Sequence, residues 1–97
     1  MEFQKLLATG KRRSLSGYTF FMERRDAGPP RLGILISRKH AAKATDRNGI
    51  KRCIREAFRM EQAQLGALDL LVRPPYGARG SSAMLANLRT LLGKLAP

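Results

Sequence analysis

The sequence predicts a small two-layer α/β (α+β) sandwich, a mixed sheet of three to four strands with three helices. Three features predict it. Aliphatic and aromatic residues alternate with a period of two in three short runs. Apolar residues recur at helical spacing in three others. Clusters of Gly, Pro and Asp separate the runs. The 97 residues suffice for one domain and not for two, so the unit is taken as 1–97.

The first helix is predicted over Glu2–Thr9, where Phe3, Leu6 and Leu7 fall at i, i+3, i+4 and Gly10 supplies a stop. So short a helix depends on tertiary packing. Lys11-Arg12-Arg13-Ser14 reads as a basic loop. Gly17–Glu23 reads as a strand, with Tyr18, Phe20 and Met22 on a core face and Thr19 and Phe21 on the other. After the breaker Asp26-Ala27-Gly28-Pro29-Pro30, a second strand is predicted at Arg31–Arg38. The short connection suggests that the two strands pair antiparallel. A long helix is predicted from Arg47 to about Gln64, capped by Thr45 or Asp46. Its apolar stripe is Ile50, Ile54, Ala57 and Phe58, and Leu65-Gly66 ends it. Leu68–Arg73 is the third strand, stopped by Pro74-Pro75. The last helix is capped by Ser81 or Ser82. Leu85, Leu88, Leu92 and Leu95 line one side, with Met84 and Leu91 beside them. If the strands flanking the long helix are parallel, a right-handed crossover is expected.

Charge narrows the function. Nineteen Lys and Arg face seven Asp and Glu, a net charge of +12. A folded domain so unbalanced repels itself unless a polyanion neutralises it, which points to nucleic acid first and an anionic membrane surface second. No apolar run of 18 residues spans a bilayer, and no secretory signal opens the chain. The single cysteine, Cys53, cannot form an internal disulfide. A soluble, cytoplasmic protein is expected. Cys53 reads as a partly buried thiol, and His40 as a loop residue or phosphate donor rather than a metal ligand.

The long helix carries the chemistry. At about 100° per residue, Lys51, Arg52, Arg55 and Arg59 share one arc almost opposite the apolar stripe. Arg47 and Asn48 fall at its start, where unpaired backbone N–H groups can also meet phosphate. Like charges at i, i+4 (Arg47, Lys51, Arg55) cost a few tenths of a kcal/mol per pair on a bare helix. Arginine forks grip phosphate bidentately, which suits structured RNA. Arg38 and Lys39, just before the helix, extend the same charge.

These residues resemble the bacterial ribonuclease P protein family. Its signature is similar to Arg47-Asn48-Gly49, Lys51-Arg52, Arg55-Glu56 and Phe58-Arg59. Leu32-Gly33, Ile36-Ser37-Arg38-Lys39, Phe3-Gln4-Lys5 and Leu68-Asp69-Leu70-Leu71-Val72 resemble its other conserved segments. There are departures. Gly49 stands where the family has a second arginine, Leu7 stands at a position often aromatic, and the chain begins almost at the first helix without the usual basic stretch. The resemblance implies a fold like the second domain of a small-subunit ribosomal protein. It implies a monomeric protein within a ribonucleoprotein. Its partners would be the catalytic RNA and precursor tRNA, with no membrane. Magnesium would be held mainly by the RNA subunit, and no catalytic residue would lie on this chain. Arg47, Asn48, Lys51, Arg52, Arg55, Arg59, Arg38 and Lys39 would bind RNA. Phe3, Leu7, Thr19, Phe21, Ser37 and Lys39 would line a cleft for the 5′ leader, although Phe3 and Phe21 suit ordinary core packing equally well. The competing reading is a non-enzymatic ribosomal or other structured-RNA-binding protein. A metal-dependent nuclease acting alone lacks its carboxylates, and a membrane-surface helix would need a stronger apolar face.

Overall fold

The computed structural model describes residues 3–96, with Phe3 described by its backbone alone. The elements run α1 (Phe3–Thr9), β1 (Lys11–Leu15), β2 (Tyr18–Arg24), β3 (Arg31–Ile34), α2 (Ala44–Leu65), β4 (Leu68–Arg73) and α3 (Ser82–Leu95). The four strands form one mixed sheet in the order β1-β2-β4-β3.

The segment expected as a basic loop is strand β1. It pairs antiparallel with β2 from Lys11↔Met22 to Leu15↔Tyr18, joined by the two residues Ser16 (φ 51) and Gly17 (φ 84). Two consecutive positive φ values give the tight hairpin whose twist matches the strands. β1 is an edge strand, and its first four residues are exposed. It therefore carries no alternation of apolar residues, and its cations discourage pairing with another chain.

The expected antiparallel pairing of Gly17–Glu23 with Arg31–Arg38, here β2 and β3, is also corrected. β4 lies between them, antiparallel to β2 and parallel to β3. Burial explains the order. Leu68, Leu70 and Val72 are buried on one face of β4 and Leu71 on the other, so this strand takes a central place. The strand expected at Arg31–Arg38 is regular only to Ile34, although the Leu35 N–H still donates to the Val72 carbonyl at 2.9 Å.

The main core lies between one sheet face and two helices. Tyr18 and Phe20 from β2 and Leu68, Leu70 and Val72 from β4 meet Ile50, Ile54, Ala57 and Leu65 of α2. Met84, Leu88, Leu91, Leu92 and Leu95 of α3 complete it. The opposite face holds a smaller cluster of Leu6 from α1 with Phe21 and Leu71. The alternation within β2 thus divides its aromatics between the two faces as expected.

Helix ends are handled unequally. Ser81 caps α3 by accepting the Met84 N–H at 3.1 Å. α2 begins three residues before the expected Arg47, and Lys43 at its N-cap makes no side-chain cap. Thr45 and Asp46 are inside the first turn, where the Asp46 carboxylate faces the positive end of the helix dipole. At the other end, Arg24 donates to the terminal carbonyls of both helices, Leu65 at 2.8 Å and Leu95 at 2.6 Å. Arg13 donates to the Lys94 carbonyl at 2.9 Å. These guanidinium groups satisfy carbonyls that have no partner within the helices. At the start of α2, a Cβ on Gly80 would stand 2.7 Å from the carbonyl carbon and oxygen of Gly49, so the backbones touch there.

Candidate nucleic-acid interface

α2 buries Ile50, Ile54, Ala57, Glu61 and Leu65 along one side. Asn48, Arg52, Arg55 and Arg59 are exposed and Lys51 is half-buried. The arc holding these five side chains is about 100° wide and lies away from the sheet. The buried Glu61 is met from α3 by Arg89 at 2.9 Å and from α2 itself by Gln64 at 2.6 Å, so the one carboxylate on the inner side is neutralised there. The outer arc keeps its charge.

Two arginines are partly committed elsewhere. The Arg47 guanidinium turns back and donates to the carbonyls of Ala41 (3.0 Å) and Ala42 (2.9 Å). Through Nη1 alone it fixes the chain as it enters α2. Arg59 donates to both oxygens of Glu56, which lie on the same exposed surface. That hydrogen bond, with the arginine's charge, holds the Glu56 carboxyl below its ordinary pKa. Solvent screens this pair strongly. Among the described residues, Arg52 and Arg55 have no hydrogen-bond or ion-pair partner within the chain, and Gly49 has nothing within 4 Å of its Cβ direction. The family's arginine would therefore fit at position 49 without displacing a neighbour.

The second surface is the sheet face beneath α1. Phe21 is 6% exposed and packs on Leu6 and Leu71. The Arg12 guanidinium carbon stands 5.7 Å from its ring centroid, within the reach of a cation–π contact. Buried Thr19 accepts from the Arg73 guanidinium at 3.3 Å. Phe21 and Thr19 are thus a floor. Leu7, 43% exposed, and the exposed Ser37 and Lys39 remain open to solvent. The Phe3 side chain lies outside the described residues. The strand register is what brings Arg12 beside Phe21 and Arg73 beside Thr19, a placement the sequence does not show.

His40 lies in a turn between β3 and α2, in keeping with its reading as a loop residue. It is buried, with Nδ1 accepting the Ser37 N–H at 3.0 Å and its ring stacked on Tyr76. Burial, aided by the nearby positive charge of Arg73, lowers its pKa below the ordinary histidine value. Cys53 is half-buried as expected, its Sγ 3.6 Å from the Ser81 carbonyl.

The Ribonuclease P family model matches residues 1–96. The chain belongs to the ribonuclease P protein family. The ribonuclease P protein component of Nitrosococcus oceani is 44% identical over 89 residues, covering 90% of this chain and 75% of the relative. That of Methylococcus capsulatus is 41% identical over 90 residues, covering 91% and 70%. Among solved structures, the ribonuclease P protein from Thermotoga maritima superposes with a TM-score of 0.81 at 25% identity, covering 99% of this chain and 93% of the other. The Staphylococcus aureus ribonuclease P protein gives 0.76 at 26% identity, covering 96% and 84%. The four-stranded mixed sheet and three helices are thus the fold of ribonuclease P proteins, and the densest signature residues fall on the outer arc of α2. Among the described residues, no helix is long and apolar enough to cross a membrane.

Proposed function

We propose that this chain is the protein subunit of ribonuclease P. It binds the enzyme's RNA through Asn48, Lys51, Arg52, Arg55 and Arg59, with Arg38 and Lys39 extending the contact. It takes the single-stranded 5′ leader of precursor tRNA over the surface formed by Leu7, Ser37 and Lys39 above Thr19 and Phe21. The leader is then removed by metal-dependent endonucleolytic cleavage, in the cytoplasm, by groups on the RNA. The observation that carries this reading is the cationic arc of α2, with Arg52, Arg55 and Arg59 exposed and Ile50, Ile54 and Ala57 buried away from it, in a chain of this family.

The chemistry follows from charge and shape. Each arginine fork can take two phosphate oxygens, and each contact releases counterions, so affinity falls steeply with salt. Contacts to phosphate and sugar that read no base edge suit a leader whose sequence varies. The described residues hold no cluster of three His, Cys, Asp or Glu side chains. The magnesium ion is held by the RNA in this reading. The family match favours it over a non-enzymatic structured-RNA-binding protein. Reconstitution tests it. Adding the protein to the cognate catalytic RNA should restore precursor cleavage at low magnesium, and no change in rate or substrate affinity would reject the assignment.

A further inference from the structure

The loop between β4 and α3 carries an aromatic ring used by neither the arc nor the cleft floor. Tyr76 is 67% exposed, yet its ring is held in place. It stacks on His40, with ring centroids 4.6 Å apart and planes inclined by 24°. His40 is itself anchored. Its Nδ1 accepts the Ser37 N–H at 3.0 Å, and its backbone carbonyl accepts the Gly77 N–H at 3.1 Å. An acceptor at Nδ1 leaves the proton of the neutral ring on Nε2. Pro74 and Pro75 stiffen the approach to Tyr76, and Gly77 turns the chain immediately after it at φ 78. One face of Tyr76 is therefore covered by a buried imidazole, and the opposite face looks outward.

The surroundings select a ligand class. Arg38 and Lys39 occupy the same turn as His40, and Arg79 follows three residues after Tyr76; all three are exposed. Asp46 is the carboxylate lining the adjoining cleft with His40 and Arg79. A preset aromatic face among these cations fits an unpaired nucleobase whose flanking phosphates meet the cations. Two links along the chain tie this platform to the surface proposed for the leader. Ser37, which holds His40, is one of the residues assigned to that surface. Arg73, which reaches Thr19 on the cleft floor, leads directly into the loop that carries Tyr76.

We propose that Tyr76, backed by His40, stacks one base of the precursor's single-stranded leader and so extends the cleft beyond the sheet. This rests on the reading that the cleft takes the leader. The test uses the reconstituted holoenzyme with precursor tRNAs carrying a single abasic nucleotide at successive leader positions, and mature tRNA as control. For the wild type, one abasic position should weaken precursor binding roughly 5- to 100-fold. Tyr76→Ala should weaken binding of the intact precursor by a similar factor and lose its sensitivity to that same position. Tyr76→Phe should retain both, and mature tRNA should bind all three proteins alike. Wild-type affinity in Tyr76→Ala, an equal loss on mature tRNA, or abasic sensitivity that survives the substitution would each overturn the proposal. Failure of the wild-type protein to restore cleavage at low magnesium would instead reject the functional reading beneath it.

Discussion

Two regions of this molecule are rich in arginine and use it in opposite ways. At the corner where β1 and β2 meet the ends of α2 and α3, Arg13 and Arg24 bind helix-terminal carbonyls. On the outer arc of α2, Arg52 and Arg55 stand in solvent. The side chain is the same, but the first pair closes the fold while the second leaves charge uncompensated. Net charge alone therefore overstates what is offered to a partner. The corner arginines face carbonyls that would otherwise lack donors, whereas the arc arginines face away from everything the fold must satisfy.

The largest expected effect is at the corner. Arg24→Ala removes a charged donor from two carbonyls and should cost about 2–3 kcal/mol in urea denaturation, with RNA affinity per folded molecule unchanged. Arg52→Ala should do the reverse. Its stability should stay within about 0.5 kcal/mol of wild type, while RNA binding weakens and becomes less salt-dependent. If Arg24→Ala proves stable but binds RNA poorly, the division between the two regions fails.

A smaller effect sharpens the arc. Gly49→Ala should stabilise the protein by roughly 0.5–1 kcal/mol, because a mid-helix glycine costs backbone entropy and its Cβ direction is open. Gly49→Arg should add a phosphate contact and steepen the salt dependence of RNA binding. Unaltered binding by Gly49→Arg would show that position 49 lies outside the footprint.

The smallest effect is in pH. The folded chain holds His40 with its pKa lowered by burial, relative to an ordinary value of 6.5. The unfolded chain therefore takes up the proton first as pH falls. This contribution to stability is complete above about pH 6.5 and is lost as the pH falls through the lowered folded value. Thermal melts between pH 8 and 5 should show this decline in the wild type and lack it in His40→Gln. There is one histidine in the chain, so no other imidazole confuses the comparison. Parallel pH profiles would contradict it.

Much of this was legible in the residues, for identifiable reasons. β2, β4 and the cap of α3 follow from alternation and from Ser81, which are local signals. The cationic arc was legible because helical periodicity alone separates Arg52 and Arg55 from Ile50 and Ile54. β1 was not, because an exposed edge strand needs no apolar face; the surviving clue is Ser16-Gly17. Strand order depended on Leu71, whose burial under α1 places β4 in the centre. The early start of α2 was hidden because the Arg47 guanidinium, rather than a capping side chain, secures that entry. Within the candidate site, Ser37 and Lys39 are exposed, whereas Thr19 and Phe21 are buried by contacts that only the strand register creates. The stack of His40 on Tyr76 joins residues distant in sequence and has no local signature. Arg24 and Arg52 read identically until the helix ends are in place.

The most direct measurement is the dependence of log K on log salt for binding to the ribonuclease P RNA, comparing wild type with Arg52→Ala, Arg55→Ala and the double variant. Each single substitution should lower the slope by about 0.7–0.9, and the double by about twice that, with unfolding free energies near wild type. Slopes that stay at the wild-type value in all three variants would show that the outer arc of α2 does not meet phosphate.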